Sequence, residues 1–251
     1  MGTVLTLLVL AAVIAGALWL VQQQKASKAR ELEDARSEAR RWVERLGGQV
    51  LNLVGTDEAS KQALADAAER FNAAGSQLEQ ARSTAQARQV TETAYEGLYY
   101  VRAARTAMGI DPGPELPPLP GQQRAGAVSE EREVDVEGHH YSASPVPSDR
   151  NRHFYPGGMV AGRPVPRGWY SEPWWKPALI AGAWGVGSML LFSAMFSGMA
   201  GVAYADGFAD GMAADDAGGG FEDGGDTGDF GGDIGGAEGG GFGDIGGGFD
   251  F

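Results

Sequence analysis

ALIAGAWGVGSMLLFSAMF, residues Ala178 to Phe196, is the stretch whose reading decides the fold. It sits inside an uncharged run from Pro177 to Ala205. Such a run is either the buried helix of a folded core or a segment that crosses a membrane. A helix hydrophobic all round must be covered on every side, and no other part of the chain carries enough apolar residues to do that. A transmembrane helix is therefore expected within 177–205.

Working outward, RGWYSEPWWKP precedes this run, and its Trp169, Tyr170, Trp174 and Trp175 read as amphipathic rings at the headgroup level. At the other end of the chain, residues 1–24 form a second such unit. Thr3 to Val21 (TVLTLLVLAAVIAGALWLV) is apolar apart from two threonines, and about 20 helical residues suffice to cross a bilayer. Ala15-Gly16-Ala17 also has the look of a signal-peptide cleavage site, but no Lys or Arg precedes the apolar run, which favours an uncleaved anchor with Trp19 at its inner edge.

Charge gives the orientation. Lys25, Lys28, Arg30, Arg36, Arg40 and Arg41 follow the first run, Arg163, Arg167 and Lys176 precede the second, and no base comes after it. Positive charge favours the cytoplasmic side. The expectation is a plasma-membrane protein with residues 25–176 inside and both termini outside. Small residues at helical spacing, Ala12 and Gly16 in one run and Ser193, Ser197, Gly201 and Ala205 in the other, suit close helix pairing and a homo-oligomer.

The chain of 251 residues has 33 acids, 20 bases and a formal charge of −13. Residues 206–251 hold twelve of those acids, no base and nineteen of the forty glycines. The acidity thus belongs to a C-terminal tail, which is expected to be disordered because glycine makes ordering costly and uncompensated acids repel. No basic stripe exists to meet a nucleic acid. With no cysteine, disulfides, thiolate nucleophiles and Cys-type zinc sites are excluded.

Residues 25–111 contain no proline and carry thirteen acids and thirteen bases among Ala, Gln and Leu, a helix-forming composition. Leu32, Ala35, Ala39, Trp42 and Leu46 follow the 3-4-3-4 spacing of a coiled-coil seam over two heptads. Gly47-Gly48 is expected to end that helix, Thr56 to cap the next, and Gly75 to stop it, with Leu64, Ala67, Ala68 and Phe71 as its inner face. A short third stripe of Leu78, Ala81 and Ala85 should follow. Ser83-Thr84-Ala85-Gln86 reads as a capping box opening a helix through Val90, Ala94, Leu98, Val101 and Met108, stopped by Gly109 and Pro112. A small antiparallel bundle results. Tyr95, Tyr99, Tyr100, Arg102 and Arg105 form its candidate recognition face for a protein partner, set against the plainer reading that the rings complete a small core.

Residues 112–176 read as a proline-rich connector. PGPELPPLPGQ should be extended, either a stiff spacer or a ligand for an aromatic-lined groove. Arg132 to Ala143 (REVDVEGHHYSA) alternates, turns near Gly138 and resumes, a β-hairpin.

The motifs that carry chemistry fail on inspection. His139 and His140, beside Glu137, would point to opposite faces of a strand, and His153 is remote in sequence, so a zinc site is not expected. Gly241 to Gly246 spells G-x-G-x-x-G, but only five residues follow it, too few for the helix that would receive a pyrophosphate. The calcium repeat G-G-x-G-x-D is missed by one position at Asp244, and Asp223, Asp226, Asp229 and Asp233 lack EF-hand spacing. No cofactor and no enzymatic activity are expected.

LNLVGTDEASKQALADAAERFNAAGSQLEQA, EGLYYVRAARTAMGIDPGPELPPLPGQ and YPGGMVAGRPVPRGWYSEPWW resemble uncharacterised two-span membrane proteins of high-GC Gram-positive bacteria. The helical part is also similar to a domain of unknown function in large staphylococcal surface proteins. The resemblance implies the two-span plan and no activity. The whole reads as mainly α: two transmembrane helices flanking a small cytoplasmic helical bundle, a Pro-rich connector with a β-hairpin, and a disordered Gly/Asp-rich tail. The expected role is a membrane-anchored interaction or scaffold module whose partners are the bilayer and another protein. The alternative is an envelope protein whose acidic tail weakly binds divalent cations.

Overall fold

The computed structural model describes residues 2–202, with the backbone alone described at residues 3–15, 17, 18 and 186. The Gly/Asp-rich tail, and with it the divalent-cation reading, lies outside the described residues. Helix α1 runs from Gly2 to Asn52, α2 from Glu58 to Gln80 and α3 from Thr84 to Ala107. Residues 19–31 of α1 are exposed at every position, and only beyond them does the helix enter the bundle. There Ala39, Val43 and Leu46 meet Ala63, Leu64 and Ala67 of α2 and Val90, Ala94, Leu98 and Val101 of α3. Ala39, Ala63, Ala67 and Ala94 among them let the helix backbones approach closely.

Two expected breaks are absent. Helix α1 continues through Gly47-Gly48 because Gly47 is a packing residue: a Cβ there would lie 2.7 Å from the Phe71 ring. Helix α2 likewise passes Gly75 and ends at Gln80, so the expected third stripe is split: Leu78 lies in α2, Ala81 is its C-cap and Ala85 lies in α3. The cap of α2 is Asp57 rather than Thr56, in a capping box completed by Ser60. Ser83 caps α3, accepting from the Gln86 amide, while Gln86 reaches back to the Arg82 amide at 2.7 Å.

The second half is built of strands. β1 (Arg132–Val136) and β2 (His139–Ser144) form the expected hairpin, with Val136 opposite His139 across Glu137-Gly138, both at positive φ. β3 (His153–Tyr155) and β6 (Gly168–Tyr170) join them in an antiparallel sheet of order β1-β2-β6-β3. β4 (Gly158–Val160) and β5 (Arg163–Val165) make a separate hairpin. A one-turn helix α4 (Gln122–Ala125) precedes the sheet, and α5 (Lys176–Ala181) and α6 (Val186–Phe196) follow it. The chain is therefore not mainly α in its second half.

The Ala178–Phe196 run is not a transmembrane helix. It breaks at Gly182, which has φ +69° at the end of α5, and resumes only at Val186. The two pieces have 6 and 11 residues, well short of the roughly 20 that a span needs. Leu191, Phe192, Met195 and Phe196 are buried against the sheet and its tryptophans. Arg132 of β1 donates to the Ser197 carbonyl at 2.6 Å, satisfying the end of α6 from the sheet side.

The supposed interface rings are the cover that the run seemed to lack. Trp169, Tyr170, Trp174 and Trp175 are all buried, Trp175 at 1 % exposure. The ring centroids of Tyr170 and Trp175 lie 5.0 Å apart edge-on, those of Tyr155 and Trp175 lie 5.0 Å apart and those of Phe192 and Phe196 4.8 Å apart, both tilted. Trp19 is exposed on α1 at 62 %. The first apolar run is not a separate unit either, since it opens the same α1 that enters the bundle. Among the described residues no helix is long and apolar enough to cross a membrane. The two-span plan, the membrane-interface role of these five rings, and the assignment of residues 25–176 to the cytoplasm with both termini outside are thereby overturned.

Strand alternation joins the halves. Adjacent residues on β6 face opposite ways: Trp169 packs with Phe154 into the helical core, while Tyr170 enters the aromatic core. Phe154 meets Tyr100 of α3 edge-on at 6.0 Å.

Candidate functional site on helix α3

Helix α3 carries all five residues of the expected recognition face, but it divides them. Tyr95 lies in the α1–α3 seam, its ring 4.6 Å from Trp42, over which Arg45 stacks at 5.2 Å. Tyr100 points the other way and is 2 % exposed, between Phe154 and the Arg70 guanidinium. Burial raises its phenol well above the ordinary range, with Glu96 and Asp66 adding to the effect. The plainer reading, rings completing a small core, holds for these two.

Tyr99, Arg102 and Arg105 remain together at i, i+3 and i+6, and the proline-rich connector lies across them. Arg105 Nε donates to the Asp111 carbonyl at 2.6 Å, and its Nη1 reaches Gln49 of α1 at 3.3 Å. Arg102 Nη1 donates to the carbonyls of Gly113, at 3.2 Å, and Pro114. The Tyr99 hydroxyl lies 3.2 Å from the Pro117 carbonyl and 3.1 Å from Gln122 Oε1. Gln122 in turn donates to the Pro156 carbonyl at 2.7 Å, tying the connector to the strand half. Leu116 packs against the helical core, and a groove of about 220 Å³ runs beside it between Leu98, Val101 and Arg45.

The chemistry of this grip is specific. An extended proline-rich segment makes no internal hydrogen bonds, so its carbonyls are free acceptors. Arginine offers a rigid fork of donors and no acceptor. The contacts from α3 to the connector are to main-chain carbonyls or to the Gln122 side-chain amide, and none needs a particular connector side-chain charge.

A second polar cluster, missed in the sequence, sits where the two halves meet. Lys176 of α5 pairs with Asp66 of α2 at 3.0 Å, and Glu69 lies 3.8 Å from the same ammonium. Arg70 pairs with Glu96 of α3 at 3.1 Å. Burial raises the Glu96 carboxyl, and Arg70 only partly offsets that. His153 of β3 is lowered by burial, against the opposing pull of Asp66, and its Nδ1 is buried without a hydrogen-bond partner. The missed signal was Asp66 itself, 7 % exposed between Ala63 and Ala67 on the inner stripe of α2. An acid at such a position needs a base to face it.

His139 and His140 lie exposed on β2, and His140 sits beside Asp135 at 3.1 Å and Glu133 at 3.5 Å. Among the described residues no group of three or more His, Asp or Glu converges to hold a metal ion. No family model matches the chain, and no curated protein or solved structure matches it either.

Proposed function

We propose that this chain is a protein-interaction module whose α3 face recognises an extended, proline-rich segment. In the structure that face is taken by residues 111–122 of the same chain. The reading is carried by one observation: Tyr99, Arg102 and Arg105 engage successive carbonyls of that segment from a single helical face. Recognition through main-chain carbonyls tolerates different sequences of similar backbone shape, as grooves for polyproline segments do. Tethering keeps the intramolecular segment at high effective concentration, so a partner competes only when the strap lifts.

The test loosens the strap by replacing Leu116, Pro117 and Pro118 together with serine, and titrates a labelled peptide of residues 111–122. Saturable binding is expected, about tenfold or more tighter than to the unmodified chain, whose own strap competes. Adding Arg102→Ala should abolish it. Equal binding to both chains, or binding that survives Arg102→Ala, contradicts the reading.

A further inference from the structure

Between α3, the connector and the β3–β4 loop lies a cavity of about 240 Å³ that the strap leaves open. One wall is polar and comes from a single helical face, Gln89, Glu92, Thr93 and Glu96. The facing wall is aliphatic and includes Leu119, Pro120, Met159 and Leu179. Tyr155 completes it. This residue is 5 % exposed, its hydroxyl lies 3.8 Å from where a Cβ on the lining Gly158 would stand, and it makes no hydrogen bond among the described residues.

The Tyr155 hydroxyl opens on the cavity, where a bound group can reach it. The charge around it says which kind. Glu92 has no ion-pair partner among the described residues, and Glu96 shares Arg70. Asp66 and Glu69 share Lys176 nearby. Four acids thus stand against two bases, and the polar wall is left negative while the wall opposite accepts methylene groups.

We propose that this cavity binds the ammonium end of a linear aliphatic amine. The head lies between Glu92, Glu96 and the Tyr155 hydroxyl, each accepting one of its three N–H groups, and the methylene chain runs along Leu119, Met159 and Leu179. Burial resists ionisation of Glu96, and a cation beside it favours the carboxylate. The same chemistry is offered by a free diamine or by a lysine side chain on another protein.

Calorimetric titration of the full chain with n-butylammonium, putrescine and an N-acetyl-lysine amide tests this, with n-butanol as the neutral counterpart. At least one amine should saturate a single site, bind about tenfold or more tighter than butanol, and weaken at least about fivefold in both Glu92→Gln and Tyr155→Phe. The exposed Glu33→Gln variant should match the unmodified chain. Preference for the diamine identifies a free ligand, and preference for the lysine amide a protein one. Butanol binding as well as the amines, no saturation by any amine, or Glu92→Gln behaving like Glu33→Gln overturns the proposal. Because Glu92 is exposed and unpaired, that last arm stays decisive even if the tyrosine variant folds poorly.

Discussion

In the helical half the buried positions are largely alanine, from Ala39 through Ala63, Ala67 and Ala94 to Ala104. In the strand half they are large rings: Tyr155, Tyr170, Trp174, Trp175, Phe192 and Phe196. Long helices can be held by many small contacts, because each turn adds its own hydrogen bonds and the backbones approach closely. Strands of three residues cannot, since most of their ladder is missing. They are held by what sits on them, and a few large side chains must supply most of the apolar burial.

That contrast predicts where the molecule is fragile. Trp175→Ala should cost about 3–5 kcal/mol and unfold the strand half first, seen as loss of near-ultraviolet dichroism while helical signal persists. Within the alanine seam the damaging change is enlargement. Gly97 has no room because Leu46 fills the place of a Cβ, so Gly97→Val should cost roughly 1–3 kcal/mol in urea denaturation. Removing the α2 cap with Asp57→Ala should cost about 1 kcal/mol. The smallest effect is a pH dependence at the joint between the halves. His153 has a lowered pKa in the folded state, so its contribution is complete above about pH 6.5 and is lost as pH falls below that, when only the unfolded chain takes up the proton. Glu96, raised by burial, works the other way and favours folding on acidification. His153→Asn should therefore make the chain lose less stability than the unmodified protein between about pH 7.5 and about pH 5, measured as urea midpoints. An unchanged slope would remove His153 from the joint.

How much of this was legible in the sequence differs between the halves for a physical reason. A 3.6-residue period over Leu32 to Leu46, and again over Val90 to Val101, survives in a long helix, so the bundle could be read. The Arg132–Ala143 hairpin could be read too, because five residues of alternation flank a two-residue turn. β3, β4, β5 and β6 have three residues each, too few to show alternation, and Pro164 lies inside β5. The aromatic cluster before an uncharged run has the composition of a membrane edge and of a packed core alike. The feature that separates them was present as Gly182 and Gly185, which end α5 and open α6 before either piece is long enough to span. In the candidate site, Tyr99, Arg102 and Arg105 were found as part of a five-residue face of tyrosines and arginines on α3, from which Tyr95 and Tyr100 turn inward. Their occupant was not, because contact with carbonyls leaves no mark on side-chain pattern.

The central claim is that Ala178–Phe196 closes the core of the strand half instead of standing apart from it. Amide hydrogen exchange in a Phe192→Ala variant tests this most directly. The account predicts that protection falls together in α6, at Ala143 of β2 and at Tyr170 of β6, while the amides of α2 and α3 keep theirs. Loss of protection in α6 alone, with Ala143 and Tyr170 unchanged, would contradict it.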